Sequence, residues 1–202
     1  MESIAQNLGP VRDQGERATC LSMALSDGHG AVRNTAPLAA DYLHAYAVRR
    51  CGSKINDAVS VLSALETLQL DGQPPEAEVP YSATARPDGW LPDRSPNSVY
   101  RNATTHQRSQ WSVAIQELTH QRPVVLILEI DGAFCTGAGI SFDEPRGTPF
   151  DRHAVLAIGY RADSIRIRNS WGAGWCDAGL AWLSQQYFDV RCTEVLTFGT
   201  EP

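Results

Sequence analysis

The first third of the chain repeats apolar side chains at the three- and four-residue steps of a helix with one buried face. The apolar positions of two such stretches are Leu38, Tyr42, Leu43 and Tyr46 in one and Ala58, Leu62, Leu65 and Leu68 in the other. An earlier segment, CLSMAL, is rich in helix formers and begins at Cys20. Asp57 is the expected N-cap of the last helix and Gly72 its expected end. These patterns predict three helices.

The chain from Gly72 to Gln110 breaks this periodicity. Its prolines are too closely spaced for long regular elements, and they are Pro74, Pro75, Pro80, Pro87, Pro92 and Pro96. We expect an ordered loop that crosses between two halves of the molecule. Beyond it, the spacing of Trp111, Ile115 and Leu118 predicts one amphipathic helix that ends before Pro123. The apolar run VVLILEI that follows is typical of a strand buried on both faces.

The last fifty residues read as β-strands. HAVLAIGY and SIRIRNSW are rich in strand-forming residues, and the short connection from Arg161 to Asp163 predicts a hairpin between them. In the second segment Ile165 and Ile167 alternate with arginines, as expected of a strand with one buried face. GLAWLS and TEVLTF predict two further strands. Helices first and strands later predict an α+β fold with a helical half and a strand-rich half.

Composition supports a folded protein and argues against two classes of partner. The 202 residues are 43% hydrophobic and 20% charged, with a formal net charge of −6, which disfavours a general nucleic-acid binder. No apolar run reaches the roughly 18 residues that a membrane span needs, and the N-terminal MESIAQNLGP lacks the features of a signal peptide. We expect a cytoplasmic protein without nucleic-acid or membrane partners, although delivery by another route stays open.

The cysteines do not form the dense pattern of a disulfide scaffold. There are five of them, an odd number, so at least one thiol is expected to be free. Four are expected to be structural thiols, with pairing between them left open, and these are Cys51, Cys135, Cys176 and Cys192. No histidine has a zinc-like spacing from cysteine or carboxylate, so we expect no metal and no cofactor.

Three residues have the types and order that nucleophilic catalysis needs. Cys20 opens the first helix, where the helix N-terminus favours thiolate over thiol. His153 opens one predicted strand and Asn169 ends its neighbour, so an amide oxygen can hold one imidazole nitrogen and leave the other facing sulfur. Taken alone, a cysteine such as Cys20 is more often a buried small apolar residue than a nucleophile.

Several segments together resemble the papain family of cysteine peptidases. PVRDQGERATC is similar to the family's nucleophile segment, in which a glutamine lies six residues before the cysteine, as Gln14 does here. HAVLAIGY resembles the family's histidine strand and RNSWGAGW its asparagine segment, and EVPY is a weaker match. His153 and Asn169 follow Cys20 by 133 and 149 residues, in the order and range of the family.

The resemblance implies a papain-like two-lobe fold in a single domain over residues 1–202. The helical N-terminal lobe is expected over about 10–105, and the antiparallel β-rich lobe over about 106–202 together with the N-terminal segment. The active-site cleft is expected between the lobes.

The resemblance also implies a role for each matching residue. Cys20 is the expected nucleophile, His153 the base and then the acid, and Asn169 the residue that orients the imidazole. Gln14 is expected to help form the oxyanion hole with the backbone N–H of Cys20. Trp171 is expected to shield the bond between His153 and Asn169 from water.

Other positions bear on substrate preference. Arg152 and Ala154, which flank the histidine, are the expected substrate contacts or shielding residues. Arg17 precedes the cysteine where the family has small residues, and Leu21 follows it where an aromatic residue is usual. Cys176 stands where the family has glycine.

These residues predict a papain-like cysteine protease that hydrolyses peptide bonds through a thioester acyl-enzyme. Its expected partner is a peptide or protein substrate. Whether a regulatory partner, a fused domain or a processing step takes the place of the family's inhibitory propeptide, or the enzyme is made active in a benign setting, stays open. Two alternatives stay open. One is a Cys-dependent acyltransferase or deamidase of the transglutaminase type, and the other is an inactive binding module that has kept the fold.

Overall fold

The computed structural model describes residues 4, 8–35, 37–92, 95–137 and 139–199. The helices are α1 (Cys20–Arg33), α2 (Ala40–Cys51), α3 (Val61–Leu70), α4 (Trp111–Thr119), α5 (Gly132–Thr136) and α6 (Gln185–Arg191). The strands are β1 (Thr105–Arg108), β2 (Val124–Ile130), β3 (Ser141–Phe142), β4 (Asp151–Arg161), β5 (Ser164–Arg168), β6 (Leu180–Ser184) and β7 (Cys192–Thr197).

The seven strands form one sheet in the order β1-β7-β2-β4-β5-β6-β3. Its pairings are antiparallel except for β3, which runs parallel to β6. Helix α1 packs on β4, and α4 and α6 pack on the sheet as well. The apolar run of β2 lies at the centre, where every residue but Glu129 is buried. This burial confirms the strand predicted from VVLILEI, since a strand covered on both faces has no solvent-exposed face on which polar residues would alternate with apolar ones.

The helical half consists of α1, α2 and α3, which contact one another. The helix α3 is capped by Ser60, whose side-chain oxygen accepts from the N–H of Ser63, so the predicted N-cap Asp57 is wrong. Helix α3 ends at Leu70, two residues before the predicted stop Gly72, which adopts a positive φ of 74° and donates its N–H to the carbonyl of Thr67. None of the helices within the described residues is long and apolar enough to cross a bilayer.

Three other regions differ from the expectation. The predicted loop after Gly72 contains strand β1, which has mostly exposed polar residues and so carries no alternating apolar signal. Helices α5 and α6 have five and seven residues and were not predicted, because two turns are too short to establish a helical period. The hairpin of β4 and β5 forms as predicted. The boundary between the lobes near residue 105 stays a prediction.

Candidate active site

His153 and Asn169 are joined by the pairing of β4 with β5. His153 is the third residue of β4, and Asn169 follows the last residue of β5. The imidazole Nε2 lies 2.7 Å from the amide Oδ1 of Asn169, and both residues are buried. Because an amide oxygen only accepts hydrogen bonds, Nε2 donates the proton. The other ring nitrogen, Nδ1, is left as the basic one.

Aromatic rings cover this hydrogen bond. The ring of Trp171 lies 4.3 Å from that of His153. Its role as a shielding residue, which the family resemblance implies, stays a prediction. Phe134 packs beside both residues, with the centroid of its ring 6.2 Å from that of His153 and 5.7 Å from that of Trp171. Phe134 lies on the short helix α5, whose N-cap Asp131 accepts from the Phe134 N–H, and sequence reasoning missed it. We expect rings packed in this way to limit the access of water to the bond, which would strengthen it.

Cys20 is the first residue of α1 and is half-buried. Burial raises the pKa of its thiol, while the backbone N–H groups of Ala154, Leu21 and Cys20 itself act to lower that pKa. The negative charge of Asp151 also raises the pKa. The lowered pKa predicted from the helix N-terminus is therefore wrong for the unliganded site, because desolvation of the sulfur outweighs the amide donors.

Burial has the opposite effect on the imidazole. It lowers the pKa of His153 to about 4, although the bond to Asn169 and the charge of Asp151 act to raise it. Desolvation thus disfavours the charged form of each group taken by itself.

Gln14 lies on the loop that precedes α1 and is buried. Its side-chain oxygen accepts from the Ser170 hydroxyl at 2.7 Å, and its backbone N–H donates to the Ser170 carbonyl at 2.8 Å. The amide nitrogen donates to the carbonyl of Arg17 at 2.9 Å. An amide nitrogen carries two hydrogens, so one donor of Gln14 is free for another acceptor.

Cys20 and His153 line the same cavity, which has a volume of about 460 Å³. Much of the lining is apolar, and this part includes Val59, Val61, Leu62, Ile127 and the predicted contact residue Ala154. The cavity lies between the start of α3 and the strands, so it opens where the helical half meets the sheet.

One part of the cavity lining is charged. Glu194 accepts hydrogen bonds from both Arg152 and His106, and Arg152 also donates to the Thr193 hydroxyl at 3.0 Å. Arg152 was predicted as a site residue, whereas His106 and Glu194 were missed. On the paired strands β1 and β7, His106 lies opposite Leu196 and Glu194 lies opposite Arg108, so the two residues are diagonal neighbours that only the sheet brings together.

The other cysteines lie outside this arrangement. All five cysteines are free thiols. Cys51 is exposed at the end of α2, and Cys192 is buried at the start of β7. Among the described residues there is no group of three or more histidine, cysteine, aspartate or glutamate side chains that could hold a metal ion.

A model of the papain family of cysteine proteases matches residues 4–194. This match spans nearly the whole chain, and the protein therefore belongs to the papain family. The predicted α+β, papain-like fold is confirmed by the solved structures to which the chain is similar.

Individual relatives match over shorter segments. Stem bromelain from Ananas comosus is 31% identical over 103 residues, which are 50% of this chain and 46% of that protein. Papain from Carica papaya is 44% identical over 59 residues, which are 29% of this chain and 17% of that protein. The aligned segments thus span less than half the length of these relatives.

Solved structures match over nearly the whole chain. A cysteine protease from Carica candamarcensis, in complex with E-64, has a TM-score of 0.78 at 24% identity and covers 99% of this chain and 98% of its own. Xylellain, a cysteine protease from Xylella fastidiosa, has a TM-score of 0.80 at 20% identity and covers 96% of this chain and 84% of its own. These likenesses show the fold.

Proposed function

We propose that this protein is a cysteine peptidase that hydrolyses peptide bonds through a thioester on Cys20. The observation that carries the proposal is that Cys20 and His153 line one cavity while Asn169 holds the imidazole by Nε2. That bond leaves Nδ1 as the basic nitrogen of His153. Nucleophilic catalysis needs this set, which consists of a thiol, a base and a group that orients the base.

The reaction begins with transfer of the Cys20 thiol proton to Nδ1 of His153 as sulfur attacks the peptide carbonyl carbon. The carbonyl oxygen becomes an oxyanion, which the free amide hydrogen of Gln14 and the backbone N–H of Cys20 stabilise. The carbon–nitrogen bond then breaks, and the leaving amine takes the proton from His153. Water attacks the thioester while His153 takes its proton, which releases the acid and returns the proton to sulfur.

The buried environment suits a proton transfer between neutral partners. Burial raises the pKa of Cys20 and lowers that of His153, so desolvation opposes an isolated charge on either group. Transfer of one proton from thiol to imidazole leaves the net charge unchanged. Asn169 stabilises the imidazolium through the bond at Nε2, and Trp171 and Phe134 keep water from competing for that bond.

Hydrolysis is tested by carrying out the reaction in ¹⁸O-labelled water with and without an added primary amine. A peptidase places one labelled oxygen in each new carboxyl group, and mass spectrometry detects it. E-64, the molecule in complex with the Carica candamarcensis protease, is expected to react with Cys20 in the same preparation. Amide products formed in place of labelled acids would support the transglutaminase-type alternative, and failure to react with E-64 would support the inactive binding module. The comparisons support neither alternative.

The cavity also indicates which side chains the substrate carries. Its apolar lining favours a bulky apolar side chain next to the scissile bond, since burial of apolar area drives binding. Glu194 is already paired with Arg152 and His106, so it does not offer an uncompensated charge to a basic side chain. We therefore infer that peptides with leucine or phenylalanine near the cleavage site are cleaved in preference to those with lysine.

Val61→Asp tests this preference. Val61 lines the cavity and is the first residue of α3, where a carboxylate is favoured by the helix N-terminus, so the fold is retained. We expect the ratio of kcat/KM for a leucine peptide to kcat/KM for a lysine peptide to fall at least about tenfold. The new carboxylate disfavours the apolar side chain and attracts the basic one. Leu70→Asp, at the exposed far end of α3, is the matched control and should leave this ratio unchanged. An unaltered ratio in Val61→Asp would contradict the assignment of this cavity as the binding site for the substrate's apolar side chain.

The acid limb of the pH profile reports His153. The imidazole must be neutral to accept the thiol proton, and its pKa is about 4, so kcat/KM is expected to hold as pH falls to about 5 and to drop through about 4. Asp151→Asn removes a charge that raises this pKa and should move the limb to lower pH. Stopped-flow assays with a brief exposure to acid, followed by a return to neutral pH, separate titration from unfolding. A limb near pH 6.5 in both proteins would exclude the assignment.

A further inference from the structure

Arg17 has a fully buried guanidinium three residues before Cys20. It donates to the Oδ1 of Asp41 on α2, and neither side chain of this ion pair is exposed. The guanidinium also donates to the carbonyls of Ser82 at 3.0 Å and Ile55 at 3.4 Å. A planar guanidinium with several partners is held in one orientation, which a single ion pair cannot do.

Asp41 is shared with a second arginine. Its Oδ2 accepts from both Nε and Nη2 of Arg86, at 3.1 and 2.8 Å, and from the N–H of Ser82 at 3.2 Å. Arg86 is partly exposed and stacks on Trp90. Well-packed apolar residues often replace a buried ion pair without loss of stability, so stability alone does not explain an arginine at position 17.

The backbone of Arg17 is part of the loop that connects Gln14 to Cys20. The Arg17 carbonyl accepts from the side-chain nitrogen of Gln14 at 2.9 Å and from the N–H of Thr19 at 2.8 Å. Tyr81 also contacts this loop at both ends. Its hydroxyl donates to the Gln14 carbonyl at 2.9 Å and lies 2.7 Å from the Thr19 hydroxyl. The acceptor that orients the Gln14 amide therefore belongs to the residue that Asp41 anchors.

We propose that Arg17 is a positioning residue for the oxyanion hole. Its ion pair with Asp41 fixes the loop over residues 14–19, so that the Gln14 amide and the Cys20 N–H converge on the oxygen that becomes negative. This inference rests on the proposed function, since it concerns the stabilisation of that oxyanion. Arg17 acts through Gln14 and does not itself touch the substrate.

The double variant R17M/D41L tests this role by replacing the buried ion pair with apolar side chains of similar volume. Misplacement of a donor by about 1 Å costs on the order of 10²-fold in rate, so kcat for a peptide substrate is expected to fall about 10²-fold. KM should change far less, because the cavity that binds the substrate side chain is not altered. Alkylation of Cys20 by iodoacetamide displaces iodide at carbon and forms no oxyanion, so its rate should stay within about threefold of wild type, a shift below 1 kcal/mol.

Arg86→Met is the matched control, because it removes the other arginine from the same carboxylate without touching the loop over 14–19. It should retain wild-type kcat. If the double variant does not fold, Arg17→Lys replaces it in the same assays. We expect kcat to fall about tenfold with an unchanged alkylation rate, because the ammonium lacks the planar geometry of the guanidinium. Wild-type kcat in the folded variant, an equal loss in Arg86→Met, or a parallel loss of alkylation would each overturn the proposal. Absence of peptide turnover in the wild type would instead refute the proposed function.

Discussion

Replacement of Cys20 by alanine is expected to abolish peptide hydrolysis and labelling by E-64. No other group in the site can form the thioester, and removal of a nucleophile from such a set typically lowers kcat by about 10⁶-fold. The fold should persist, because Cys20 is half-buried and the change removes only one sulfur atom. Steady-state assays with a fluorogenic peptide, together with intact-protein mass spectrometry after E-64 treatment, measure both effects.

Cys51→Ala is the matched control for this experiment. Cys51 is an exposed free thiol at the end of α2, outside the lining of the active-site cavity. Its replacement should leave turnover and the stoichiometry of labelling unchanged. Turnover that survives in Cys20→Ala, or E-64 attached to another cysteine in wild type, would exclude Cys20 as the nucleophile.

Gln14→Ala is expected to lower kcat by about 10²–10³-fold, the usual cost of losing one oxyanion donor. The amide contributes nothing to the displacement of iodide, so alkylation of Cys20 by iodoacetamide should keep its wild-type rate. The comparison of these two rates separates loss of an oxyanion donor from damage to the thiol or the imidazole. Both rates are measured on the same preparation, with the free energy of unfolding determined by urea denaturation.

Gln116→Ala controls for the loss of a glutamine side chain. Gln116 is exposed on α4, and its replacement should change neither rate. If Gln14→Ala slowed both reactions equally, Gln14 would be a structural residue of the loop before α1. In that case its bonds to Ser170 and Arg17 would be its whole contribution.

Much of the fold could be predicted from the hydrophobic pattern. The helices with apolar stripes and the buried strand β2 have strong periodic or continuous apolar signals, and the hairpin of β4 and β5 has a short connection. Strand β1 lacks such a signal because its residues are polar, and it exists because β7 offers backbone hydrogen bonds. Pairing of this kind depends on a partner almost 90 residues away, which local sequence does not encode.

The residues of the candidate site also divide into those with a recognisable sequence pattern and those without one. Gln14, Cys20, His153, Asn169 and Trp171 could be predicted as site residues because their types, order and spacing match the family, and their roles stay predictions. Phe134 carried no such signal, because a single phenylalanine in a five-residue helix is indistinguishable from any core aromatic residue. His106 and Glu194 were missed for a related reason, since only the pairing of the edge strand β1 with β7 makes them part of the cavity.

The sequence by itself determined which chemistry is present, because a thiol, an imidazole, a carboxamide and a second amide donor are properties of residue type. It also determined the class of fold, through the change from helical to strand periodicity. The tertiary structure decided how deeply the site is buried and which distant segments hold its loop. Burial raises the pKa of Cys20 and lowers that of His153. The ion pair of Arg17 with Asp41 connects the loop before Cys20 to helix α2. Both effects arise from the exclusion of water by segments far apart in the chain, so no local pattern could have revealed them.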